Sequence, residues 1–159
     1  MDYQFVTHES LKPFINKDSE ILILGSFPSP MSRKENFYYA HKTNRFFKIL
    51  SSIYNEEELK TVEEKKDFLR RHKIALYDVI ESCYIKGASD SSVKDVAPSD
   101  IDILIKGTNI KKIYTTGSLA DKLYKKYISD NNIPLPSPSA ANAAMDLNKL
   151  IDAYSIILN

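Results

Sequence analysis

Two short segments hold the side chains best suited to chemistry. In GSFPSPMS, Gly25 to Ser32, Gly25 permits close backbone approach, Pro28 and Pro30 stiffen the turn, and Ser26, Ser29 and Ser32 supply hydroxyls that can meet a phosphate or a base edge. PSPSAAN, Pro136 to Asn142, repeats that composition with Ser137, Ser139 and the Asn142 amide. Just after the first segment, Arg33, Lys34, Lys42, Arg45 and Lys48 face a lone Glu35, with Phe37, Tyr38, Tyr39, Phe46 and Phe47 among them. Cations neutralise phosphates and flat rings stack on bases, so this pattern suits nucleic acid. It equally suits a charged helix face above an aromatic core.

Other chemistry finds less support. His8, His41 and His72 are far apart with no paired ligand spacing, and Cys83 is the only cysteine, so neither a metal site nor a disulfide framework is expected. Cys83 reads as a small semi-buried hydrophobe. No cofactor is implied. The net charge of +1 does not by itself call for a polyanion. No apolar run reaches the roughly 18 residues of a membrane helix. The N-terminus lacks the basic-then-apolar order of a signal peptide. A reducing, cytoplasmic setting without membrane contact is the expectation, and 159 residues suit one domain spanning 1–159.

The elements that must position these residues alternate. EILILGS, Glu20 to Ser26, is a continuous apolar run ended by Gly25, as in a strand covered on both faces. A helix starts near Asn44, with Phe46, Phe47, Ile49, Leu50, Ile53 and Tyr54 at helical spacing. Glu56 to Lys73 reads as a solvated helix, Ile74 to Ile80 as a second strand, and Glu81 to Pro98 as a long surface loop. Ser99 with Asp102 predicts a short helix ending by Gly107. Lys111 to Ser118 is a third strand, followed by a helix capped by Ser118 and Asp121. Asn132 to Ser139 gives a short strand entering the Pro/Ser loop, and a last helix carries Leu147, Leu150, Ile151, Tyr154 and Leu158. Such alternation predicts a three-layer α/β/α sandwich around a short, mostly parallel four-stranded sheet. Ligands of such sheets bind beyond the carboxyl ends of strands, where both Pro/Ser loops stand.

Three ordered segments resemble the hypoxanthine-DNA glycosylase branch of the uracil-DNA glycosylase superfamily. ILGSFPSPMSRKENFYYAHKTNRFFKIL is similar to that family's first motif, Gly-Ser-hydrophobic-Pro-Ser followed by an aromatic pair and His-x-x-Asn-Arg-Phe. IALYDVIESCYIKGASDSSVKDV resembles its middle segment, and LPSPSAANA its second motif, Leu-Pro-Ser-Thr-Ser-Pro-Ala-Asn-Ala. The match runs from about Ile21 to Ala143.

The resemblance implies a monofunctional DNA glycosylase that hydrolyses the N-glycosidic bond of hypoxanthine or uracil. DNA carrying a deaminated base would be the partner and the enzyme a monomer. Phe27 stands where the superfamily usually places an acidic or amide residue to handle water, and a phenyl ring cannot polarise water. Asn44 becomes the catalytic candidate, holding a water or the flipped nucleotide through its amide, although it also suits a helix cap. His41 is a second candidate, as proton donor or backbone contact.

Gly25, Ser26, Phe27, Tyr38, Tyr39, Asp90 and Ser91 are implied around the base, with N–H groups of Ser26 and Phe27 as donors and one tyrosine as stacking ring. Asp78 falls in the same middle segment. Ser29, Ser32, Arg33, Lys42, Arg45, Ser137, Ser139 and Asn142 are implied on the DNA strand. Pro138 and Ala140 replace the more usual Thr and Pro, while Lys42 and Phe47 replace Pro and Trp. Two rival readings stay open: a nucleic-acid-binding homologue without turnover, and an enzyme acting on a free nucleotide.

Overall fold

Strands and helices alternate through most of the chain in the computed structural model, which describes residues 2–159. In order they are β1 (Gln4–Thr7), β2 (Ile21–Gly25), α1 (Pro30–Glu35), α2 (Phe46–Ile53), α3 (Val62–Arg71), β3 (Ile74–Asp78) and β4 (Ile80–Ile85). There follow β5 (Lys94–Pro98), α4 (Ile101–Ile105), β6 (Lys112–Thr116), α5 (Ser118–Tyr127), β7 (Asn132–Leu135) and α6 (Leu147–Tyr154).

The central sheet has the order β3-β2-β6-β7, and every neighbouring pair is parallel. Its inner strands are buried almost throughout, Leu22, Ile23 and Leu24 completely, because helices cover both faces. Successive strand residues point to opposite faces, which fixes the layers. Thr115 accepts from the Asn132 amide, which also reaches Asp121, so α5 lies on the Thr115 face. Thr116 meets Tyr39, whose ring stacks on Phe46, so α2 covers the other face, with α6 beside it. At the end of α2, Tyr54 rests on Phe68 and His72, which brings α3 to the same side. The expected three-layer arrangement is therefore present.

The stretch expected as one long loop, Glu81 to Pro98, instead carries β4 and β5. They join β1, which has no counterpart in the expectation, in an antiparallel sheet ordered β1-β4-β5. Register shifts between Ile80 and Ser82 and between Ser82 and Tyr84 break the period of two that would have marked the strand. Cys83 and Ile85 still turn inward while Glu81 and Tyr84 face out.

Helix starts also move. Thr61 caps α3 and Asp100 caps α4, whereas Ser99 is buried and donates to the Asp78 carbonyl. No Ser118 cap forms: α5 follows Gly117, whose φ of +90 turns the chain directly into the helix. No helix among the described residues is long and apolar enough to cross a membrane.

After β2 the chain departs toward the α2 face, and after β6 toward the α5 face. The carboxyl ends of these neighbouring strands diverge and open a crevice, as at the switch point of any such sheet.

Candidate active site

A cavity of about 640 Å³ occupies that crevice. Both Pro/Ser loops border it, joined by the turn from β6 to α5 and by Gly87, Ala88 and Asp90 of the β4–β5 connection. Its volume suits a small ligand.

Gly25 pairs in register with Asp78 at the cavity floor. A Cβ on Gly25 would stand 2.6 Å from Asp78 Oδ1, so only glycine fits. The carbonyls of Gly25 and Ser26 accept from Val79 and Ile80, which fixes the start of the loop. The N–H groups of Ser26 and Phe27 donate to no turn, loop or cap carbonyl among the described residues. Phe27 is half-buried against the cavity. Ser29 caps α1 by accepting from the Ser32 N–H, and the buried Ser32 hydroxyl accepts from Ala40 N–H at 3.2 Å. Both line the cavity, yet these bonds make them builders of the loop. Arg33 also lines it, with its guanidinium 5.6 Å from the Phe27 ring centre.

Asn44 shows a divided role. Its Oδ1 accepts from the Phe46 N–H at 2.9 Å in a tight turn just before α2, where Arg45 rather than Asn44 takes the N-cap position. A backbone N–H can only donate, so that contact identifies the oxygen and leaves Nδ2 as the end available to the cavity. His41 is exposed at the rim, and its Nδ1 accepts from both the N–H and the hydroxyl of Thr43. Its neutral ring therefore carries the proton on Nε2 and presents a donor.

The two tyrosines separate. Tyr38 is buried, and its hydroxyl donates to the Lys12 carbonyl at 2.9 Å. Tyr39 adopts φ 53, stacks on Phe46 at 3.8 Å and places its hydroxyl 3.1 Å from Thr116 Oγ1. Burial pushes both hydroxyls above their ordinary range, so both stay protonated.

The second loop is held by Arg45, the residue just before α2. Arg45, expected at DNA phosphates, donates through Nε to Pro138 O, through Nη1 to Met145 O, and through Nη2 to Ser139 O and Asn142 O. The Asn142 amide donates to Ser137 O, and Tyr154 to Pro136 O. Ser137 and Ser139 accept from Ser139 N–H and Ala141 N–H while lining the cavity. Lys42, Ser91 and Asn142 lie outside the lining, with Lys42 and Ser91 exposed and Asp90 bordering it nearby.

One feature escaped the sequence reading. His8 Nε2 lies 2.7 Å from Asp78 Oδ2, and both residues are buried. Burial alone would lower the His8 pKa, but the Asp78 carboxyl beside it carries the balance upward. Burial raises that of Asp78 against the opposing pull of His8.

The family model described as the uracil DNA glycosylase superfamily matches residues 12–155. A protein of Methanosarcina barkeri named hypoxanthine DNA glycosylase is 35% identical over 98 residues, 60% of this chain and 61% of that protein. One of the same name from Methanosarcina acetivorans is 32% identical over 87 residues, 54% and 55% of the two chains. The aligned part thus spans about three fifths or less of each relative's length. The solution NMR structure of a Methanosarcina acetivorans protein, designated a candidate uracil DNA glycosylase, superposes with a TM-score of 0.75 at 24% identity. That likeness in fold covers 94% of this chain and 97% of the other. The family match extends over both cavity loops and the sheet that holds them, and on it the chain belongs to the uracil DNA glycosylase superfamily.

Proposed function

We propose that this chain is a DNA glycosylase that hydrolyses the N-glycosidic bond of a deaminated base, hypoxanthine or uracil. The carrying observation is the set of donors bordering one cavity: the N–H groups of Ser26 and Phe27, the Asn44 Nδ2 and the Nε2–H of His41. Glycosidic cleavage develops positive charge on the sugar and negative charge on the departing base. Fixed donors stabilise that anion without reorganising, most strongly where water is excluded.

The base enters between the loops after flipping from its stack, with Phe27 and Tyr39 offering rings. Ser137 and Ser139 then face the strand, and Arg33 and Lys42 neutralise phosphates. Asn44 acts as donor to the nucleotide, because its oxygen already serves Phe46.

The test is a panel of duplex oligonucleotides, each carrying one hypoxanthine or uracil, incubated with the protein and treated with alkali. Strand breaks at the lesion and none at adenine or cytosine are expected. Retardation of the duplex without breaks would instead favour a binding homologue. Cleavage of free nucleotides with no DNA affinity would reject the reading.

A further inference from the structure

Among the described residues eight large hydrophobic side chains are exposed, and the rings of three of them, Tyr3, Phe5 and Tyr84, gather on the antiparallel sheet. Phe5 and Tyr84 are cross-strand partners, and Lys94 pairs with Tyr84 from the other side. Phe5, Tyr84 and Lys94 thus form one row across β1, β4 and β5 on a single face. The Phe5 and Tyr84 ring centres are 5.1 Å apart and the planes are tilted by 52°, so neither ring covers the other's face. Tyr3 completes the patch, with Nζ of Lys94 3.9 Å and Nζ of Lys86 4.7 Å from its ring centre.

The same sheet is a wall of the active-site cavity. Cys83 and Ile85 turn inward from β4, and Ile85 lines the cavity. Tyr84 lies between them in sequence and points the other way, so the patch is the outer side of that wall. Lys86 leads directly into Gly87 and Ala88, which form part of the cavity border.

Clustered exposed rings mark an interaction surface, and the chemistry here selects its occupant. Lysines set among open aromatic faces match a phosphate chain with bases attached. Bases within a duplex are stacked on one another and have no face to offer; unpaired bases do. We propose that the Phe5–Tyr84 face binds unpaired nucleotides next to the lesion, so that single-stranded DNA is a ligand of this protein. The inference rests on the glycosylase reading above, which brings the strand over the Gly87–Ala88 rim.

Binding is measured by fluorescence anisotropy on two end-labelled chains of equal length, oligothymidylate and an abasic tetrahydrofuran-phosphate chain that keeps the phosphates and lacks the bases. Wild type should bind oligothymidylate on the order of 10-fold more tightly or better, the worth of stacking on one or two rings. Phe5→Leu with Tyr84→Leu keeps apolar side chains but no flat ring. It should lose most of that preference, with affinity for the abasic chain unchanged. Lys86→Gln with Lys94→Gln should instead weaken both chains and lower the salt slope by about one to two. The leucine pair should also slow cleavage of hypoxanthine in single-stranded DNA below saturation, while leaving cleavage in a fully paired duplex at the wild-type rate.

Equal wild-type affinity for the two chains, or a preference that survives the leucine pair, would overturn the proposal. So would self-association that the leucine pair abolishes with no change in DNA affinity, which would assign the patch to a protein contact. Photocrosslinking of wild type to an oligonucleotide carrying 5-iodouracil needs no variant: adducts at Phe5 or Tyr84 are expected, and adducts confined to the cavity loops would overturn it. Base-dependent binding here without cleavage of any lesion rejects only the glycosylase reading. Cleavage without such binding rejects only this inference.

Discussion

Gly25 is fixed by what lies beneath it rather than by its own backbone, since its φ is not among the positive ones. An alanine methyl must displace an oxygen held in a buried pair. Gly25→Ala should therefore destabilise by about 1–3 kcal/mol, the usual cost of overpacking. Denaturant unfolding checks this, and the cost should largely vanish in an Asp78→Ala background.

The pair also sets a pH dependence. With both folded-state pKa values raised, His8 and Asp78 bind their shared proton more tightly folded than unfolded. That stability is present below the ordinary histidine value of 6.5 and is lost as pH rises through the folded value. Unfolding free energy measured upward from pH 6.5 should fall in wild type, with the part due to this pair absent in His8→Phe. A slope that is the same in both would contradict the assignment.

Asn44 was legible in the sequence because it sits in a motif. The pair was not, because its members are 70 residues apart and no local pattern joins them.

Among the elements, the second loop depends on a side chain from the start of α2. The planar guanidinium of Arg45 meets four carbonyls, those of Pro138, Ser139, Asn142 and Met145. A lysine has three donors on one nitrogen and cannot span that set. Arg45→Lys should speed amide exchange across residues 138–145 and destabilise by about 2 kcal/mol, leaving exchange in α5 unchanged. Unchanged exchange in the loop would show that it holds itself.

The sequence suggested this arginine because basic residues beside aromatics suit phosphates; only the fold reveals carbonyls close enough to engage it. In the central sheet β2 was readable from its continuous apolar run ILILG, whereas β6 and β7 were placed by their position between helical segments. β4 and β5 were hidden by their exposed outer residues and broken register.

At the scale of the whole molecule, the order β3-β2-β6-β7 explains why two loops far apart in sequence share one cavity. β2 and β6 are neighbours whose chains leave to opposite faces, and β7 brings the second loop alongside. Alternating strands and helices announced the layers; the order of strands, which decides the meeting of loops, is a property of long-range pairing.

On the proposed function, this cavity cleaves the glycosidic bond through donors set around the departing base. Asn44→Asp separates the two ends of this side chain, because a carboxylate still accepts from the Phe46 N–H but has lost the Nδ2 donor. Single-turnover release of hypoxanthine from duplex DNA should fall by about two to three orders of magnitude. The melting temperature should stay close to that of wild type. Release at the wild-type rate, or a rate lost only in step with stability, would contradict the account.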